Sequence, residues 1–357
     1  MTQLVPHTKI IVGLSGGVDS AVTALLLKEQ GYAVEGCYMQ NWRAEKDDPY
    51  CSAQVDLTDA KKVCDHLKIP FHLVNFSKEY WEQVFQYCLD EFVAGRTPNP
   101  DIWCNQFIKF DVFLKHALSL GAGFLATGHY VRKQKTQLLK AKDLNKDQSY
   151  FLYTLNQEKL SRALFPLGEL TKPTVRAIAK KAGLLNAEKK DSTGICFIGE
   201  RKFKTFLQDF ILAKPGNIKT IDGKIIGKHD GLMFYTLGQR KGLQIGGVKN
   251  TAESAWYVVS KNISANELMV AQGHDHPLLF SNTLVCEKLQ WIAGHAPRNL
   301  QCSAKIRYRQ QDEPCHIELL SDDMARVVFE KPQRAITSGQ AVVFYDRDIC
   351  LGGGVIS

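Results

Sequence analysis

The stretch KIIVGLSGGVDSAVTALLLKEQG, Lys9 to Gly31, decides the fold. It opens with a strand-like run, KIIVGLS, passes through a glycine turn, and continues with helical spacing until Gly31 supplies a stop. The run YAVEGCYM that follows reads as a second strand. Working outward, DLTDAKKVCDHLKI is helical, PFHLVNF is a strand, and KEYWEQVFQYCLDEFVAG is another helix. FIKFDVFLKHALSLGA then feeds a strand-like FLATGHY. Strands alternating with helices of this length predict a doubly wound parallel α/β sheet, with ligands at the carboxyl ends of its strands.

From Lys142 to Phe210 the chain reads as mainly helical, and TKPTVRAIAKKAG carries a threonine cap, an early proline and a terminal glycine. Beyond LAKPGN the texture changes to short β-rich runs, WYVVS and ELMVAQ, punctuated by IDGK, HDG and IGG. From Leu284 onward, AKIRYRQ, CHIELL, ARVVFE and AVVFYDRDICLGGGVIS have the spacing of a β-barrel or sandwich. The expected division is residues 1–210 for the α/β domain, 211–278 for a small central β-rich domain and 279–357 for a C-terminal β-barrel.

The 357 residues are 45% hydrophobic and 23% charged, which describes a globular chain and excludes a disordered tail or a membrane span. The opening MTQLVPHTKI lacks the apolar core of a signal peptide, so a cytoplasmic protein is expected. Ten cysteines lie singly, with no CxxC pair, as in a reducing compartment. A formal charge of +8 suits a polyanionic partner such as RNA, and it also suits many ordinary enzymes.

Two segments carry chemistry. In GLSGGVDS, Gly13 to Ser20, glycines at the mouth of a parallel strand let backbone N–H groups approach a phosphate, and the next helix adds its dipole. Ser15 and Ser20 can donate to phosphate oxygens, while Asp19 either holds Mg2+ or caps the helix. The segment lacks the GK[ST] ending of a Walker loop. In RTPNPDIWCN, Arg96 to Asn105, two prolines argue against helix or central strand, and a rigid loop is expected to present Asp101 and Cys104.

The complete SGGxDS pattern between a first strand and a helix resembles the PP-loop ATP pyrophosphatase superfamily. That resemblance implies cleavage of ATP between its α and β phosphates and transfer of AMP to a substrate oxygen. A urea-like carbonyl becomes replaceable once its oxygen carries AMP. Sulfur delivery then needs a cysteine persulfide and a second thiol that assists its release. Cys196, in DSTGICFIGE, is the candidate partner of Cys104.

Taken in order, SGGVDS, TPNPDIWCN, ATGHY, KDQSYFL, DSTGICFIGE and YTLGQRKGL resemble the tRNA-specific 2-thiouridylases over nearly the whole chain, as do the closing SGQAVVFYD and CLGGGVI. The resemblance implies adenylation and thiolation of the C2 carbonyl of the wobble uridine at tRNA position 34, in lysine, glutamate and glutamine acceptors. It makes Cys104 the catalytic nucleophile, Cys196 the persulfide carrier and Asp101 a general acid/base, with Asn99 and Pro100 against the target base. It assigns ATP to Gly13, Leu14, Ser15, Gly16, Gly17, Val18, Asp19, Ser20, Met39 and Gly128. It assigns tRNA to His129, Lys146, Asp147, Gln148, Arg307, Tyr308 and Gln340.

Arg307, Tyr308 and Arg309 are expected to alternate along a strand, both arginines on one face. A cysteine desulfurase or relay protein is the expected sulfur source. Zinc is not expected, because no Cys or His pair has zinc-finger spacing, and Asp101-x-x-Cys104 disfavours an iron–sulfur cluster. Two other readings remain open. One is a PP-loop ligase that adenylates a small metabolite, and the other is a tRNA-binding protein with a degenerate nucleotide site.

Overall fold

The computed structural model describes residues 7–42, 53–190, 203–245 and 254–357; Cys196 lies outside them. Strands β1 (Lys9–Leu14), β2 (Ala33–Gln40), β3 (Phe71–Asn75) and β4 (Phe124–Ala126) run parallel. A hairpin of β5 (Val131–Gln134) and β6 (Gln137–Lys140) leaves this sheet, and β7 (Ala163–Leu164) returns as its edge, giving the order β3-β2-β1-β4-β7. Helices α1 (Val18–Glu29) and α2 (Ala53–Leu67) follow β1 and β2. The β-branched run of β1 is buried on both faces. Ile10, Val12 and Leu14 pack with Val22, Leu25 and Val63, and Ile11 packs with Phe113 and Leu125 in the opposite core.

The helical stretch after β3 comprises α3 (Ser77–Tyr80), a π-helical turn (Trp81–Phe85) and α4 (Gln86–Val93). RTPNPDIWCN corrects the sequence reading. Pro100 opens a short helix, α5 (Pro100–Trp103), whose N-cap is Asn99, with its side chain accepting from the Asp101 N–H at 3.2 Å. Proline is tolerated there because the first helical N–H groups have no intrahelical acceptor. The helix continues through a π-helical segment (Cys104–Val112) into α6 (Phe113–Ser119). In FLATGHY only Phe124–Ala126 is strand.

The region expected to be mainly helical holds α7 (Gln157–Arg162), α8 (Lys172–Lys181) and α9 (Phe203–Gln208), together with loops and β7. The central module is a four-stranded sheet of β8 (Gly216–Thr220), β9 (Ile225–His229), β10 (Trp256–Asn262) and β11 (Glu267–Gln272), in the order β10-β11-β8-β9. The C-terminal module comprises β12 (Phe280–Trp291), β13 (Gln301–Lys305), β14 (Glu313–Leu319), β15 (Met324–Arg334), β16 (Ala341–Asp346) and β17 (Ile349–Ile356). Pairing of β12 with β17 closes it into a barrel.

The β5–β6 hairpin joins that barrel through β6 and β17, so a piece of the N-terminal segment is built into the C-terminal module. Strand β13 stops at Lys305, and Arg307 to Arg309 lie in the turn before β14. The expected sharing of one strand face by Arg307 and Arg309 is therefore not realised.

Candidate active site

The strand order reverses between β1 and β4, and the crevice at their carboxyl ends is where such sheets bind ligands. The glycine loop after β1 forms one wall and Thr127, Gly128 and His129 form the other. Gly16 has φ +73°, and a Cβ there would stand 2.5 Å from the Asp56 carbonyl oxygen, so this turn requires glycine. A Cβ on Gly128 would stand 2.9 Å from the Ser20 backbone nitrogen, which brings the second wall against the start of α1. Gly17 caps α1 with no side-chain hydrogen bond, leaving the helix N-terminus to its backbone donors. Ser20 Oγ accepts from the Ser15 N–H at 3.1 Å and donates to the Gly17 carbonyl at 3.1 Å, which holds the loop.

Asp19 does not cap the helix with its carboxylate. Lys172 Nζ lies 2.7 Å from both carboxylate oxygens, and the Tyr130 hydroxyl donates to Oδ1 at 2.7 Å. The lysine that the loop lacks is thus supplied by α8. Lys172 is buried, and its backbone N–H donates to Asp143 Oδ2 at 2.9 Å. Asn186 closes the far side by donating to the Gly16 carbonyl at 3.1 Å.

Lys172, Tyr130 and Asn186 were missed in the sequence. A signal for Lys172 existed: it is the first residue of α8, where a cation opposes the helix dipole and calls for a compensating anion. Asn41, just past the carboxyl end of β2, was also missed. It is 1% exposed, and neither its Oδ1 nor its Nδ2 has a hydrogen-bond partner among the described residues. A buried orphan amide is costly and is characteristic of a site that a ligand completes. Met39, two residues earlier, is buried in the core that also holds Cys104.

Cys104 is fully buried, and burial pushes its thiol up to about 12, with Lys109 opposing and Asp101 adding to the rise. Its helix runs back to the crevice, where Phe113 lies 3.0 Å from the position of a Cβ on Gly13 and Phe110 packs on His129 with ring centroids 5.8 Å apart. Asn105 Nδ2 donates to the Phe151 carbonyl at 3.1 Å. Trp103 packs edge-on against Tyr87 at 5.0 Å, and Lys288 of β12 donates to the Tyr87 hydroxyl at 3.1 Å. The barrel therefore reaches the neighbourhood of Cys104. His129 is neutral, because burial depresses its pKa well below the usual histidine range, and its Nδ1 is 2.8 Å from Thr127 Oγ1.

Among the residues expected to meet tRNA, Asp147 is turned inward. Its carboxylate accepts from the Ala141 N–H at 2.9 Å and from the Ser149 hydroxyl at 2.7 Å. Gln148 Oε1 accepts from the Tyr130 N–H at 2.9 Å, linking the KDQ segment to the wall that holds Asp19. Tyr308 packs at a 45° tilt on Phe151, with ring centroids 4.4 Å apart, and Arg307 donates to the Ala335 carbonyl at 2.7 Å. Gln340 Nε2 donates to the Thr97 carbonyl at 2.7 Å.

Three family models match the chain. These are a tRNA methyl transferase HUP domain over residues 8–200, a tRNA methyl transferase PRC-barrel domain over 204–272, and an aminomethyltransferase beta-barrel domain over 281–356. The tRNA-specific 2-thiouridylase MnmA of Coxiella burnetii (strain RSA 493 / Nine Mile phase I) is 59% identical over 353 residues, covering 98% of this chain and 98% of its own. That of Haemophilus influenzae (strain 86-028NP) is 57% identical over 355 residues, covering 98% of this chain and 93% of its own. The domain descriptions speak of methyl transfer, whereas these relatives match from end to end under one description. The chain belongs to the tRNA-specific 2-thiouridylase family.

Proposed function

We propose that this sulfurtransferase adenylates the C2 carbonyl of the wobble uridine and replaces its oxygen with sulfur from a cysteine persulfide. The observation that carries the proposal is the crevice itself. A glycine-lined helix N-terminus without a side-chain cap and the Lys172 ammonium converge on Asp19, and the helix that carries Asp101 and Cys104 packs against the same strand end. Backbone donors of Gly16 to Ser20 would hold the phosphates of ATP, with Met39 and Gly128 beside the adenosine. Asp19 and the Ser15 and Ser20 hydroxyls are hard oxygen donors that fit Mg2+, which would neutralise phosphate charge when bound. Lys172 is placed to move from Asp19 to a phosphate oxygen as that charge arrives.

Asn99 and Pro100 would hold the flipped target base, and Asp101 would move the proton as the uridine O2 attacks the α phosphorus and pyrophosphate leaves. The terminal sulfur of a Cys196 persulfide then adds at C2 and AMP departs. Cys104, as thiolate, attacks Cys196 Sγ, breaking the S–S bond so that sulfur remains on C2. The resulting Cys104–Cys196 disulfide is reopened by a dithiol reductant. A cysteine desulfurase or sulfur-relay protein recharges Cys196. Arg307, Tyr308, His129 and the Lys146–Gln148 segment would form the tRNA surface, in arginine–phosphate and aromatic stacking modes. A cytoplasmic location fits the absence, among the described residues, of any helix long and apolar enough to cross a membrane.

The test is release of AMP and pyrophosphate from ATP and Mg2+ with and without unmodified tRNA, omitting a sulfur source. Strong stimulation by tRNA is expected. Turnover indifferent to tRNA, or ADP as product, would replace this reading with a small-metabolite ligase.

A further inference from the structure

The residues that lead into the Asn99–Cys104 ledge are held by both β modules. Lys261 of β10 donates to the Gly95 carbonyl at 2.9 Å. Gly95 lies so close to this module that a Cβ on it would stand 2.3 Å from Ile263 Cδ1. From the barrel side, the Ser338 carbonyl accepts from the Thr97 N–H at 2.9 Å, and Gln340 Nε2 donates to the Thr97 carbonyl at 2.7 Å. One turn therefore satisfies both backbone groups of Thr97. Gly339, between the two contacts, has φ +88°, and a Cβ there would stand 2.8 Å from the Thr97 nitrogen, so the approach depends on glycine.

The turn is anchored in its own module: the Gly339 N–H donates to the Ile356 carbonyl and the Ile356 N–H to the Gln340 carbonyl, both at 2.8 Å. A second strut runs nearby. The Tyr150 hydroxyl donates to the Ala341 carbonyl at 2.9 Å, and the carbonyl of the next residue, Phe151, receives the Asn105 amide beside Cys104.

We propose that the Ser338–Gln340 turn of the barrel sets the position of the catalytic ledge, and that Gln340 is a positioning residue acting through Thr97. A tRNA seated on the barrel is then coupled to Asp101 and Cys104 through the direct hydrogen bonds at Thr97, two residues before the ledge. The inference rests on the reading of Asp101 and Cys104 as the reacting pair. It departs from the family assignment of Gln340 as a tRNA contact, because the amide that would meet the RNA already holds Thr97.

The experiment uses the full chain with Gln340→Met, which keeps length and removes the donor. It measures tRNA affinity, single-turnover 2-thiouridine formation at saturating tRNA and ATP by chain charged beforehand with persulfide from a cysteine desulfurase and free cysteine, and amide exchange over residues 97–104. The expected result is an affinity within about twofold of the parent, a rate at least about tenfold lower and faster exchange across the ledge, since small misplacements of reacting groups are costly. Gln340→Lys, which restores a donor, recovers most of the rate. Weakened tRNA binding with an unchanged rate at saturation would make Gln340 a direct contact and overturn the proposal, as would no change in rate or exchange. Cys104→Ser is run beside it: full thiolation by that variant would overturn the reading of the ledge itself, whatever Gln340 does.

Discussion

Cys104 should be almost inert in the absence of substrate. Its thiol is fully buried and raised to about 12, against about 8.5 for a free cysteine. At pH 8 the thiolate fraction is then lower by roughly 10³-fold, while the greater nucleophilicity of a more basic thiolate returns about 10^1.5. The net expectation is alkylation by iodoacetamide at least about 30-fold slower than that of a model cysteine, before lost access is counted. The sign with pH follows from the same shift. Folding favours the protonated thiol, so its contribution to stability is complete below about pH 8.5 and is lost as pH rises towards about 12. The labelling rate should keep climbing through pH 10, where a free thiol has levelled off. The assay is timed alkylation of the full chain, with mass spectrometry of the peptide that carries residue 104. Modification within about tenfold of the free-thiol rate at pH 8 would refute the argument that burial silences this sulfur until the ledge moves.

Two further outcomes follow from residues that the sequence reading did not single out. Lys172→Met leaves the Asp19 carboxylate with the Tyr130 hydroxyl and without its lysine partner; we expect tRNA-stimulated AMP release to fall by at least about tenfold and the melting temperature to drop, with Asp19→Asn in the same chain restoring melting but not activity. Preserved AMP release in Lys172→Met would confine the lysine to a structural pair. Asn41→Leu removes two buried polar atoms that lack partners among the described residues, so melting should stay level or rise while thiolation at limiting ATP weakens by about tenfold. A clear fall in melting temperature would show that the amide contributes to packing and is not held for a ligand.

Much of the molecule was legible in the chain because its signals are local. The continuous apolar run of β1, the glycines that follow and the helical spacing to Gly31 encode a strand, a turn and a helix within a few neighbouring residues, and the structure forms all three. The switch to glycine-punctuated β runs after LAKPGN likewise marks where the parallel sheet gives way to the two β modules. Local rules misjudged Pro100, since the same residue that breaks a helix interior is suited to a first turn, and only the placement of Asn99 as a cap decides between them. They also misjudged Arg307 to Arg309, where β13 ends two residues earlier than the alternation implied.

The sequence alone determined the class of sheet and the strand, glycine turn and helix that open it, and it singled out Asp101 and Cys104 as candidates. The tertiary structure decided what surrounds them. Lys172 meets Asp19 across 153 positions of chain, Gln340 meets Thr97 across 243, and the β5–β6 hairpin enters a barrel whose other strands begin at Phe280. None of these contacts leaves a periodicity or a motif, because each is fixed by how separately folded layers pack, and a lysine or glutamine reads the same in a sequence whether it faces water or completes a site.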